Sequence, residues 1–220
     1  MTVNRETFCT YEEGMFADEL STLADTTEVL AAYHSERGAL MHHEAAHAVF
    51  NYAVGFGASS ISLRRTVDES GCAGKVELRR TPRLMVFKRG YSRLMLANGV
   101  AVVAGPAAER KFCILAGAPI RTRGASESDH SQIDQTDAGL AHHAGRRDYA
   151  YRRLVWHKAQ AALENPVIWG AVERLATELW SYYPDEVEES GEHTETMDAA
   201  KARKIIRSAG VKRGILGFIA

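Results

Sequence analysis

Apolar side chains recur three and four positions apart along much of this chain, which is the spacing of one face of an α-helix. The pattern predicts a first amphipathic helix over 16–33 and a second helix that begins near Ser35, whose side chain can cap it. Gly55 and Gly57 are expected to end the second helix. Two helices therefore account for most of the first quarter of the chain.

Two short segments after the second helix alternate between apolar and polar residues, which is typical of half-buried strands. These segments are 59–64 and 75–78. The residues between them, 66–74, contain glycine, serine and aspartate and predict a hairpin loop. We therefore expect a small antiparallel sheet next to the second helix.

A longer apolar pattern follows and is predicted to break at Gly105 and Pro106, because proline suits the first turn of a helix better than its interior. The helix is expected to restart at an angle over 106–116. Ser128 or Asp129 is well placed to cap the next helix.

The last third of the chain is predicted to be helical. Asn165 and Pro166 form a cap and first-turn pair for a helix over 166–182. The acidic segment 184–196 is expected to be a loop, and 197–209 a basic helix. Together the elements predict an α+β, mostly helical fold, in which the second helix packs beside a small β-sheet and is followed by a C-terminal helical bundle.

The composition excludes several classes of protein. With 220 residues and a formal net charge of −1, the chain can bury a core but has no overall charge that would favour nucleic acid or a membrane surface. Its three cysteines form no Cys-x-x-Cys pair, which argues against a disulfide framework and a cysteine zinc site. The N-terminus lacks the apolar stretch of a secretory signal. We therefore expect a cytoplasmic protein with no nucleic-acid partner and no membrane segment.

The sequence His43-Glu44-Ala45-Ala46-His47 carries the clearest chemical signal. Residues four apart lie on one face of a helix, so His43 and His47 can bind a single ion while Glu44 projects beside them. Two imidazoles and a third protein ligand hold a catalytic Zn²⁺ with one position open for water. The second helix is therefore expected to be a zincin-like helix that binds one zinc ion per chain, with Glu44 as the general base.

A third zinc ligand is needed, and several downstream side chains could provide it. The candidates are Glu109, Asp129, His130, Asp134 and Asp137. Glu109 lies on a predicted helix that could approach the histidines, but spacing alone does not choose between Glu109 and Asp129.

Three segments, in the same order, resemble the peptidase domain of the FtsH family of zinc proteases, which are fused to an AAA ATPase. They are ERGALMHHEAAHAV at 36–49, AGPAAE at 104–109 and GASESD at 124–129. The resemblance covers 35–144 well and the chain as far as 209 loosely. This chain departs from the family's pattern at two places. Ala46 stands where the family has glycine, and the last of the three segments, 124–129, is one residue longer than in the family.

The resemblance implies roles for further residues. It makes Asp129 the third zinc ligand if one gap is allowed, whereas a gapless match would place Ser128 there. It also implies that Glu109 supports the ligands from behind. His130, next to Asp129 in the chain, is kept as a donor of a hydrogen bond to the transition state.

The resemblance also implies a domain organisation and an activity. We expect an N-terminal helical extension over 1–34, an FtsH-like peptidase domain over 35–213 and an apolar tail over 214–220, without an ATPase module. The expected activity is zinc-dependent, ATP-independent hydrolysis of flexible or unfolded polypeptides. The alternative is a catalytically silent binding or regulatory module. A homo-oligomer, or an ATPase acting in trans, is left open.

A peptide substrate is expected to pair with a sheet edge near the metal, as an added strand. The glycines of the second strand segment would allow its backbone to come close to that strand. The candidate substrate-binding residues are Gly71, Cys72, Ala73, Gly74, Lys75, Val76 and Glu77.

Overall fold

The computed structural model describes residues 28–66, 72–77, 93–118, 127–144, 150–183 and 192–217. Within these ranges the chain is mostly helical with a small antiparallel sheet, which confirms the predicted α+β class. The elements are α1 (Glu28–Val54), β1 (Ser60–Thr66), β2 (Cys72–Glu77), α2 (Arg93–Ala116), α3 (Glu127–Ala144), α4 (Ala150–Leu163), α5 (Pro166–Trp180), β3 (Glu192–Met197) and α6 (Ala199–Ser208). Most of the first predicted helix, and Gly71 of the proposed substrate edge, lie outside the described residues.

Helix α1 is continuous from Glu28 to Val54, so the predicted helix start near Ser35 is wrong. No proline interrupts this part of the chain, and a serine alone does not begin a helix when helical residues precede it. The predicted end is confirmed, because Gly55 and Gly57 have φ values of 105° and 106° that other residues rarely adopt.

The sheet has the strand order β2-β1-β3, with both pairs antiparallel. The two predicted strands are present and are longer than expected. The prediction of a loop over 184–196 is wrong for its last part, because 192–197 form β3. Only Met197 of this strand is apolar, so the segment lacks the alternation of apolar and polar residues that would predict a strand. Met197 is buried and pairs with Ile61, which holds β3 against β1.

Helix α2 runs through Pro106 without ending, so the predicted break and restart are wrong. Proline cannot donate to the carbonyl four residues earlier, which usually destabilises a helix interior. Here α2 packs against α1 and α4, and its residues 97–101 and 103–108 are buried. This tertiary packing outweighs the lost hydrogen bond.

The C-terminal helices form largely as expected. The Asn165 side chain accepts a hydrogen bond from the Val167 N–H and caps α5, as predicted. The buried side of α5, which packs against α1, consists of Ile168, Ala171, Val172, Leu175, Ala176 and Leu179. Helix α6 begins at Ala199, capped by Asp198, rather than at Met197.

Helix α3 begins at Glu127, so Ser128 and Asp129 lie in its first turn instead of capping it. A carboxylate in the first turn interacts favourably with the positive end of the helix dipole. No helix in the described part of the chain is both long and apolar enough to cross a membrane.

Candidate metal centre

The middle of α1 carries His43, Glu44 and His47 into the core of the molecule. His43 is 1% exposed and Glu44 is 3% exposed, while the alanines between the histidines are fully buried. Helix α2 packs along this part of α1, and the first turn of α3 faces both. Buried histidine and carboxylate side chains require partners, so the contacts of this cluster are informative about its role.

Three ligand atoms converge at this point. Nε2 of His43 and Nε2 of His47 are 3.0 Å apart, and each is 3.1 Å from Oδ2 of Asp129. Zinc–ligand bonds of about 2.0–2.2 Å in a tetrahedral site place the ligand atoms about 3.3 Å from one another. Among the described residues these three side chains form the group that could hold a metal ion, and their spacing fits zinc.

The hydrogen bonds behind the two histidines hold the rings so that both Nε2 atoms point to the same place. Nδ1 of His43 donates to Oε2 of Glu109 at 2.9 Å, and Nδ1 of His47 donates to the Ala101 carbonyl at 2.9 Å. Because Nδ1 carries the hydrogen in each ring, Nε2 can bind a metal through its lone pair. Glu109 therefore lies behind a ligand, as expected from the sequence, while Asp129 is the carboxylate that faces both Nε2 atoms.

Gly105 on α2 provides the space at the centre of this arrangement. A Cβ atom at this position would lie 2.4 Å from Nε2 of His47 and 2.7 Å from Nε2 of His43. Such a Cβ would fill the point toward which both nitrogens are directed. The absence of a side chain at Gly105 thus leaves a cradle of the size that an ion requires.

The electrostatics of the cluster favour a positive charge. Burial lowers the pKa of His43, but hydrogen bonds to Asp129 and Glu109 outweigh burial and raise it to about 10. Burial raises the pKa of Asp129, but its hydrogen bonds to His43 and His47 hold the carboxyl well below its usual range. The surroundings therefore stabilise a cation next to ionised Asp129, which is the charge distribution of a metal site.

Glu44 differs from the other members of the cluster. Its Oε2 atom is buried and has no hydrogen-bond partner within the described residues. Burial raises its pKa, and the nearby imidazoles of His43 and His47 oppose the rise. A buried carboxylate oxygen without a partner is costly, so an oxygen to which the described residues give none is a candidate for contact with a bound molecule.

The remaining candidate ligands lie outside the converging group. Asp134 forms an ion pair with Arg152 at 2.7 Å, and Nδ1 of His130 lies 3.5 Å from Nη2 of the same arginine. Burial and Arg152 lower the pKa of His130. Asp137 is buried but does not belong to the cluster.

The predicted substrate edge is near α1. Among the described strands β2 pairs only with β1, so its other edge is unpaired there, and α1 contacts both strands. Residues 72–77 of the predicted edge lie in β2.

Two groups of the cluster, Gly105 and the Ala101 carbonyl, cannot be identified from the sequence pattern. Glycine is a signal for close packing, but next to Pro106 it predicts a helix break instead.

Comparisons with known proteins give no independent assignment. The sequence matches no protein-family model, and no curated protein is significantly similar to it. The functional argument therefore depends on the geometry of the cluster itself.

Proposed function

We propose that this protein is a zinc metallopeptidase that hydrolyses flexible or unfolded polypeptides without ATP. The observation that carries the proposal is the convergence of His43, His47 and Asp129 beside the buried, unpartnered carboxylate of Glu44. The order of its motifs along the chain, which resembles the FtsH peptidase domain, supports the same function. Fold analogy alone would not do so.

His43, His47 and Asp129 would hold the zinc ion, and Gly105 leaves the space for it. When bound, zinc in such a site polarises the scissile carbonyl and makes water acidic enough to attack near neutral pH. The hydrogen bonds of His43 to Glu109 and of His47 to Ala101 keep both rings oriented during the reaction.

Glu44 would carry the proton through the reaction. Its Oε2 atom accepts the proton of the attacking water and later donates it to the nitrogen of the leaving amine. The burial that raises the pKa of Glu44 makes the carboxylate a stronger base than an exposed glutamate. A carboxylate used only for structure would instead be expected to have a fixed hydrogen-bond partner.

The extended substrate would pair, through main-chain hydrogen bonds, with the edge of β2 that has no partner among the described strands. Because this interaction uses only the backbone of an extended chain, it favours unfolded segments over folded proteins. An added strand would also place alternate side chains on opposite faces of the sheet.

The experiment is hydrolysis of casein by the purified protein and by Glu44→Gln. The amide preserves the shape of the side chain but cannot accept the proton, so we expect a loss of about 10²–10⁴-fold in turnover with unchanged zinc content. Glu195→Gln is the matched control, because Glu195 is exposed on β3. It should cleave casein at the wild-type rate.

Equal turnover in the wild type and Glu44→Gln would contradict the proposal. Zinc-loaded protein that cleaves no flexible substrate would favour the alternative of a binding or regulatory module.

A further inference from the structure

A second charged region lies at the C-terminal end of α1, away from the residues of the metal centre. A cavity of about 500 Å³ opens there between the end of α1 and helix α6. Its walls include Tyr52, Phe56, Arg203, Arg207 and Arg213, and none of the described residues that line it is acidic. A cavity of this volume has the size of a site for a small organic molecule.

Arg203 and Arg207 are directed to one side of α6, because residues four apart share a helix face. Neither arginine has an ion-pair or hydrogen-bond partner in the described part of the chain. Lys201 on the same helix, in contrast, forms an ion pair with Glu178. Two unpaired charges of α6, those of Arg203 and Arg207, therefore line the cavity.

Arg213 forms a third, fixed part of the basic wall. Its Nε and Nη2 atoms donate to the Gly55 carbonyl at 3.0 and 2.8 Å. These two bonds orient the guanidinium without neutralising its charge. A fixed guanidinium loses little conformational freedom when it binds a ligand, so it is a favourable anchor for an anion.

The positive charge of this region is balanced only in part, by the ion pair of Lys201 with Glu178. The segment 199–213 contains six basic residues and no acidic one. Like charges that line one cavity repel each other, and an anion bound between them would remove the repulsion. A solvated helix face would explain exposed arginines on an open surface, but it does not explain why three of them line the same cavity.

We propose that this cavity binds a small organic phosphate with a flat apolar group. The planar guanidinium forms paired hydrogen bonds with phosphate oxygens, which makes arginine well suited to this ligand. The cavity is larger than a phosphate group needs, and the aromatic residues Tyr52 and Phe56 provide a surface for an apolar group. The site is independent of the proposed peptidase activity, since it shares no residue with the metal centre.

The test is calorimetric titration of the full zinc-loaded chain with phenyl phosphate, adenosine monophosphate and inorganic phosphate. We expect the two organic phosphates to bind, and inorganic phosphate to bind more weakly because it cannot contact the aromatic wall. Binding should weaken as salt is added, since the ligand charge is screened. The zinc content should not change.

The double variant Arg203→Gln/Arg207→Gln should weaken binding of both organic phosphates by about tenfold or more. Lys204→Gln is the matched control, because Lys204 is exposed on the same helix but does not line the cavity. It should bind as the wild type does. If the double variant does not fold, the two single variants are measured instead.

Two results would overturn the proposal. One is that neither phenyl phosphate nor adenosine monophosphate binds at concentrations up to about 10 mM. The other is binding of equal strength in the wild type and in folded arginine variants, which would place the ligand elsewhere.

Discussion

Two buried charged side chains lie seven residues apart on α1, and they differ in how many contacts the described residues give them. The guanidinium of Arg37 donates to the carbonyls of Trp180 and Tyr183 at 3.0 and 3.4 Å. It also lies 4.5 and 4.3 Å from the centres of their rings. Glu44, two turns further along the helix, has an oxygen with no partner among the described residues.

The difference between these regions supports the proposal that Arg37 has a structural role and Glu44 a functional one. The contacts of Arg37 come from the end of α5 and the turn that follows, so this charge joins α1 to the C-terminal helices. The contacts that would satisfy Glu44 are missing from the described chain, while two histidines and Asp129 converge beside it. A buried charge to which the described residues give no partner is typical of a functional site.

The largest effect is expected from filling the space at the metal centre. Gly105→Ala should remove zinc almost completely, because the added Cβ would lie 2.4 Å from Nε2 of His47. Gly170→Ala is the control, since a Cβ at Gly170 meets nothing within 4 Å. Metal analysis of both folded variants tests this. Full zinc occupancy in Gly105→Ala would mean that the ion binds elsewhere.

Replacing each of the two carboxylates near His43 by alanine should lower zinc affinity by different amounts. Asp129→Ala should lose most of its zinc, because it removes the atom that faces both Nε2 atoms. Glu109→Ala should weaken zinc affinity by only about 10–100-fold, which is typical of a residue that orients a metal ligand. Competition with a chelator gives both affinities. A lower zinc affinity in Glu109→Ala than in Asp129→Ala would indicate that Glu109 is the ligand.

Substitutions at Arg37 and at Glu44 should have different effects on the free energy of unfolding. Arg37→Met should lower the free energy of unfolding by about 2–4 kcal/mol, because it removes two hydrogen bonds and two cation–π contacts. Glu44→Gln should leave the stability of the zinc-free protein unchanged or higher, since no partner is lost. Urea unfolding of both variants measures this. A destabilised Glu44→Gln would show that Glu44 has a structural partner.

The smallest effect is expected at the substrate edge. Successive N–H groups of an edge strand point alternately toward the neighbouring strand and toward the free edge. Of Lys75→Pro and Val76→Pro, one should therefore reduce stability through β1, and the other should mainly weaken peptide cleavage. Turnover, melting temperature and zinc content are compared in both variants. Unchanged turnover in both would place the substrate path away from β2.

The sequence predicted those parts of the molecule that depend on local pattern. The spacing of His43 and His47 fixes their common helix face, and Asn165 with Pro166 marks the start of α5. Asp129 could not be chosen from spacing, because its position depends on how α3 approaches α1. The resemblance to a family was needed to prefer it over Glu109.

The remaining features depend on tertiary packing. Strand β3 exists because of its pairing with β1, although its own residues lack an apolar alternation. Pro106 stays within α2 because neighbouring helices bury that segment. The role of Gly105 emerges only when α2 lies against the histidines of α1, and no local pattern contains this information.

The central claim is that His43, His47 and Asp129 hold a zinc ion. X-ray absorption at the zinc edge of the purified protein tests it most directly. The claim predicts one zinc per chain, bound by nitrogen and oxygen atoms at about 2.0–2.2 Å, with the imidazole signal lost in a His43→Ala/His47→Ala variant. Protein without bound zinc, or zinc bound by sulfur, would contradict it.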